Sequence, residues 1–211
     1  MANAATTQTT RQPAAGPNGR PQRADARRNR GRVLDAAREC FAQAGLDAQI
    51  DDIARCAGLG VGTVYRHFPT KEALIQALAQ DRFDRLAEKA YDALEASNPW
   101  EGFCGFMRYS AEIQARDRCL SEVMGSRPEM MHAAASSAGL YEPMAKLVRR
   151  AQRSGAMRRD AHPDDMPALV CALGRVTNPA SPGPTMDWRR LLPIMLDGLR
   201  APGGSNLPQR S

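Results

Sequence analysis

Between Gly58 and Glu72 the chain gathers several groups that could do chemistry: the Thr63 hydroxyl, the Tyr65 phenol, the Arg66 guanidinium, the His67 imidazole and the Lys71 ammonium. They do not form a catalytic set. His67, His132 and His162 are far apart in sequence and no nucleophile, base and orienting group recur together, so no enzyme activity is expected. The five cysteines, Cys40, Cys56, Cys104, Cys119 and Cys171, are odd in number and include no C-x-x-C pair. That argues against a zinc site and a disulfide framework and suits a reducing cytoplasm, with Cys40 and Cys56 read as small buried packers. Neither a metal nor a cofactor is expected. Gly58, Gly60 and Gly62 spell G-x-G-x-G, but a nucleotide-binding loop needs a β-strand before it, and the preceding residues have helical period. What remains is a cluster of short and long hydrogen-bond donors, the chemistry that meets base edges and phosphates in a major groove.

Two short helices must position these groups. Ile50, Ile53, Ala54 and Ala57 share one face at helical spacing, and Gly58 then supplies the left-handed turn that ends the helix. A second helix is predicted over about 61–67, with Val64 and Phe68 pointing inward and Gly62, Thr63, Tyr65 and Arg66 on the outer or flanking faces. Pro69 ends it. Thr70 can cap the next helix, with Glu72 in a first turn where the dipole favours an acid. Lys71 is opposed by that dipole, a placement that makes sense if a phosphate docks there. Upstream, a helix is expected from about Ala24 to Ala44, with Val33, Leu34, Ala37, Phe41 and Ala44 as its stripe and Gly45 as its close. Gly31 lowers its stability by about 1 kcal/mol and could delay its start. Arg27, Arg28 and Arg30 near its beginning are candidates for phosphate contact.

Charge is concentrated on the same side. Residues 1–32 hold seven arginines against Asp25 alone, so the whole formal charge of +6 lies there and would attract a polyanion. Residues 1–22 lack apolar periodicity and are expected to be disordered, and so is the tail at 202–211. No apolar run is long enough for a membrane span, and no secretory signal is expected at the N-terminus. Ala, Leu, Arg and Met dominate while aromatics are 5%, which favours helix throughout.

Beyond residue 70 the expected elements are a long helix from Thr70 to about Ser97 and another over 99–117. A shorter piece from Cys119 to about Met131 is interrupted by Pro128, and residues 133–138 read as a loop or a weak helix start. Tyr141 to Ser154 follows as a helix, then one opened by Pro163 with Asp164 and Asp165, a proline-rich loop at 178–185, and a last helix in which Pro193 is unexpected. All nine non-initiator methionines lie beyond residue 100, and flexible thioethers accommodate ligands of varied shape. Trp100, Phe103, Met107, Met124, Tyr141 and Met144 are therefore the candidate lining of a small-molecule cavity.

The runs VLDAARECFAQAGLDA and DDIARCAGLGVGTVYRHFPTKEAL together resemble the DNA-binding region of the tetracycline-repressor (TetR) family of bacterial transcription regulators. The ending WRRLLPIMLDGLRAP resembles, more loosely, the SbtR-like branch of that family. The resemblance implies an all-α protein with a three-helix helix-turn-helix head at 23–69, preceded by an arm at 1–22 and joined to a ligand-binding and dimerisation domain at 70–201. It places Thr63, Tyr65 and Lys71 at family DNA-contact positions, with Tyr65 and Lys71 on phosphates and Val61, Gly62, Arg66 and His67 as the variable positions around them. Val61 departs from a position that is polar or basic in many members, and contact with a thymine methyl could substitute. The implied function is that of a cytoplasmic, homodimeric repressor, bound to a palindromic double-stranded DNA operator, paired through helices at about 164–176 and 186–200, and released by a small-molecule effector. A sequence-neutral nucleoid protein is the second reading, supported by the Arg-rich arm alone.

Overall fold

The computed structural model describes residues 19–117, 120–122, 126–177, 186–202 and 205–208. Among these it is all-helical, with one isolated antiparallel bridge between Met157 and Arg200. The helices are α1 (Gly19–Ala44), α2 (Ile50–Ala57), α3 (Val61–His67), α4 (Lys71–Leu94), α5 (Pro99–Arg116), α6 (Pro128–Ser137), α7 (Tyr141–Arg153), α8 (Asp165–Thr177) and α9 (Trp188–Leu199), with a 3-10 turn over Gly45–Asp47. No helix among the described residues is long and apolar enough to cross a membrane.

The head is rooted in one apolar cluster. Val33, Leu34, Ala37 and Phe41 of α1 are buried with Ile50, Ile53, Ala54 and Ala57 of α2, Val64 of α3 and Phe68. Gly58 stops α2 in the left-handed region at φ 60°, donating its N–H back to the carbonyls of Ala54 and Arg55. The Arg32 guanidinium closes that end by donating to the carbonyls of Ala57 at 2.6 Å and Gly58 at 3.2 Å. A Cβ at Gly58 would stand 2.9 Å from Arg32 Nη2, which the flexible Arg32 side chain could relieve, so it is the positive φ that calls for glycine. Cys40 is buried as expected, but Cys56 is exposed. Their sulfurs lie 3.3 Å apart between α1 and α2, and burial, then the contact with Cys56, pushes the Cys40 thiol up to about 11.

Thr70 caps α4 by accepting from the Ala73 N–H at 3.0 Å, and Arg38 ties α1 to α4 through Asp81. Asn98 caps α5 by accepting from the N–H groups of Trp100 at 2.9 Å and Glu101 at 3.3 Å, with Pro99 at the first helical position. Helix α4 stops at Leu94, short of Ser97, where Arg150 of α7 takes the carbonyls of Leu94 and Ala96.

Several elements differ from expectation for local reasons. Helix α1 begins at Gly19 and runs through Gly31, because one glycine among many strong helix formers does not break a helix. Pro128 opens α6 instead of interrupting a helix: at the first position its missing N–H is not needed, and the alanines that follow carry the helix to Ser137. Helix α8 opens at Asp165, after a turn containing Pro163, because the Asp165 carboxylate accepts from the His162 N–H at 2.7 Å. Pro193 sits inside α9, on its exposed face, where the carbonyl it leaves without a donor can be hydrated. The tail is pinned where it is described: Arg158 donates to the Ser205 carbonyl, and the Leu207 N–H donates to Asp160 at 2.9 Å. Met124, Cys119 and the loop at 178–185 lie outside the described residues, as do positions 1–18 of the arm.

Candidate nucleic-acid interface

Helix α3 is too short to stand alone, and its position comes from the side chains it buries. Val64 is fully buried and Phe68 is 2% exposed, which turns the opposite face to solvent. On that face Val61 is 38% exposed and Tyr65 46%, an unusual exposure for an apolar and an aromatic side chain on one short helix. Gly62 and Arg66 are exposed beside them, while Thr63 and His67 are half-buried on the flanks. Arg66 Nε reaches back to the Gly62 carbonyl at 3.4 Å, and a Cβ at Gly62 would meet no heavy atom within 4 Å. The surface is therefore low at its centre, with an aromatic hydroxyl and a guanidinium rising at its edge.

Lys71 opens α4 beside this face. Its ammonium donates to the Leu46 carbonyl and lies 5.9 Å from the Phe41 ring centre. One of its three N–H donors is used there, which fixes the position of the charge. Arg30 of α1 lies over the Phe68 ring at 5.3 Å, so the basic start of α1 approaches the same end of the head. Arg27 and Arg28 are exposed further up α1, Arg28 in an exposed ion pair with Asp25 that contributes little to stability. The arrangement can place donors and cations along a polyanion, and its glycine permits close approach.

A model of the bacterial regulatory proteins of the tetR family matches residues 33–78, and one of the SbtR-like C-terminal domain of transcriptional regulators matches residues 98–201. The crystal structure of a TetR transcription regulatory protein from Mycobacterium vanbaalenii is 37% identical, covering 86% of this chain and 100% of that one, with a TM-score of 0.65. The chain belongs to the TetR family of bacterial regulatory proteins. An HTH-type transcriptional repressor of Mycobacterium tuberculosis is 36% identical over 80 residues, 37% of this chain and 38% of that protein. The repressor KstR of Rhodococcus jostii is 32% identical over 123 residues, 57% of this chain and 56% of that protein. The chain spans about half the length of these curated relatives. These relatives are HTH-type transcriptional regulators and repressors.

The distal part of this TetR-family chain holds a cavity of about 460 Å³, within the range of small-molecule sites. Met107, Tyr141 and Met144 line it, but Trp100 and Phe103 do not. Those two pack on each other at 5.7 Å, with Arg200 5.1 Å from the Trp100 ring centre, one to two turns of α5 before the cavity begins at Phe106. The Tyr141 hydroxyl is 2.9 Å from His132 Nδ1, and burial pushes its pKa up. The polar residues that sequence reasoning passes over include Arg82, Ser110, Gln114 and Ser121. One signal for them exists: Arg82 falls in the four-residue stripe of Leu74, Leu78 and Leu86, where a cation is out of place.

Proposed function

We propose that this TetR-family protein is a sequence-specific DNA-binding repressor whose hold on its operator is controlled by a small molecule. The observation that carries the DNA half is the outward face of α3. Val64 and Phe68 root the helix so that Val61, Gly62, Tyr65 and Arg66 stand clear, with Thr63 and His67 flanking them and Lys71 fixed at the start of α4. Tyr65 and Lys71 take phosphates, Thr63 and the variable positions meet base edges, and Arg27 and Arg28 add backbone contacts. The head spans 23–69 and the distal domain 70–201, with the arm at 1–22 and the tail at 202–211.

Helix α9 supports a homodimer. Leu192, Leu196 and Leu199 are buried against the chain's own core, yet Leu191 and Met195 are only half-buried and Ile194 is 57% exposed on the other side. A helix apolar on two faces has a second surface to cover, and α8 with α9 would meet their copies there. Two heads related by that axis fit a palindromic operator. Helix α4 gives the coupling: Lys71 stands at one end and Arg82, Phe83 and Leu86 border the cavity, about 16 Å along the same rod. A ligand that fits one setting of that rod better than the other shifts the heads by its difference in affinity. The protein acts in the cytoplasm.

Footprinting on genomic fragments is expected to protect a palindrome, and Tyr65→Ala and Lys71→Ala to weaken the shifted complex. Gel shifts indifferent to both substitutions would sink the assignment of this face. Random duplex that competes as well as the selected fragment would establish the sequence-neutral alternative, since a specific binder keeps a preference of about a thousandfold or more.

A further inference from the structure

The wall of the cavity contains a charge that, among the described residues, no opposite charge touches. Arg82 is 4% exposed, and its guanidinium donates to Ser121 Oγ at 2.9 Å and to Gln114 Oε1, both neutral acceptors. Its Nε–H has no acceptor among the described residues. Burial pulls its pKa down to about 10, against the attraction of Asp117, so it stays charged at neutral pH. Gln114 packs against Gly174, where a Cβ would come within 2.2 Å of its amide nitrogen, so glycine leaves room for the side chain to stand in this position. Arg158, by contrast, has a carboxylate on it, from Asp160. A cation kept from water without such a partner is unfavourable, and an anion at the same place relieves it.

The rest of the wall sets the remaining chemistry. Phe83, Leu86, Phe106, Met107, Met144 and Val170 make it mostly apolar. Among the described residues Arg175 and Glu122 also border it, both exposed and of opposite sign, which leaves Arg82 as the one buried charge in this wall. We propose that the cavity takes an organic monocarboxylate with an apolar body, its head against Arg82 beside Gln114 and Ser121 and its body along the phenylalanine and methionine wall. Charge-assisted hydrogen bonds to a guanidinium are strong, and strongest where water is excluded. This deepens the effector reading given above and rests on it.

The test is calorimetric titration of the full-length protein with decanoate and with naphthoate, each beside its primary amide, for the native chain, Arg82→Met and Arg82→Lys. At least one carboxylate is expected to bind the native protein roughly tenfold to a hundredfold more tightly than its amide. Arg82→Met should abolish that preference, and Arg82→Lys should keep part of it. Removing a buried cation that no carboxylate touches relieves its desolvation and sets this against the two hydrogen bonds lost at Gln114 and Ser121, so Arg82→Met is expected to fold, which its Tm checks. If it does not fold, the carboxylate-to-amide ratio in the native protein and in Arg82→Lys decides. Amides binding as tightly as acids, no binding by any of the four, or full carboxylate affinity in Arg82→Met would overturn the proposal. Operator release, followed in parallel by fluorescence anisotropy, separates the two readings. A carboxylate preference without release refutes the effector role and leaves the ligand class standing, whereas release by acid and amide alike does the reverse.

Discussion

The head and the distal domain are both helical and both rich in arginine, but the arginines around the candidate interface and those drawn into the distal core dispose of their charge in opposite ways. On α1 and α3, Arg27, Arg28 and Arg66 stand in solvent. In the distal domain Arg158 is drawn inward onto Asp160 and the carbonyls of Gly198 and Ser205, Arg150 onto the last carbonyls of α4, and Arg82 onto Gln114 and Ser121. A guanidinium in water keeps its hydration and is free to meet a phosphate; one inside a fold needs acceptors built for it. Arg32 shows that the division follows position, because on α1 it performs for the end of α2 the service that Arg150 performs for α4. Packing divides along the same line. Val64 and Phe68 root α3 in a continuous apolar cluster, while Met107 and Met144 face a cavity.

The packing contrast predicts the largest effect. Phe68→Ala should cost about 3–5 kcal/mol, because the rooted aromatic leaves a void that its neighbours cannot fill. Met144→Ala, with the cavity already on one side, should fall near the low end of its class, about 2 kcal/mol. Denaturant unfolding of both variants measures the difference, and equal costs would show that the distal core is packed as tightly as the head.

The charge contrast comes next. Arg158→Met should lower Tm and leave half-site affinity unchanged, whereas Arg66→Ala should lower affinity and leave Tm unchanged; any exchange of these outcomes breaks the division. The same site has a pH signature. Arg158, then the Leu207 N–H, holds the Asp160 carboxyl well below the usual carboxylate range. Its folded pKa is depressed, so its contribution is present above the unfolded value near 4 and is lost as pH falls toward the folded one. Thermal unfolding followed from pH 6 downward should therefore show the native protein losing stability below about pH 4, and Asp160→Asn losing less over the same interval.

Much of this organisation is readable in the sequence, and what is not has local causes. The head's helices show through because Gly58, Pro69 and Thr70 each do locally what their side chains favour, and because Val64 and Phe68 keep helical spacing. The distal helices are readable as elements but not at every boundary. Pro128 looks like an interruption until the structure puts it at a first turn, where it is harmless. The cavity is the least readable part. Trp100 and Phe103 have the composition of a ligand wall, but they lie toward the start of α5, before the cavity begins at Phe106, and Met107, one turn after Phe103 on the same face, takes that place. Arg82 is visible in sequence only as a cation in an apolar stripe, and its partners come from elsewhere in the chain, beyond the reach of periodicity.

The smallest effects separate the outer face from the scaffold most cleanly. Lys71→Ala should reduce operator affinity for all sequences alike and make the dependence of log affinity on log salt shallower by about one unit, the mark of one lost phosphate contact. Gly62→Ala is sharper still. Nothing lies within 4 Å of a Cβ at this position, and an exposed glycine in the first turn of a helix gains part of the about 1 kcal/mol that alanine brings in a helix interior, so the free protein should become slightly more stable. If the face lies against a groove, that methyl occupies space the duplex needs, and operator affinity should fall even as Tm rises. A variant that gained in both would place Gly62 outside the contact and move the interface toward Tyr65 and Arg66.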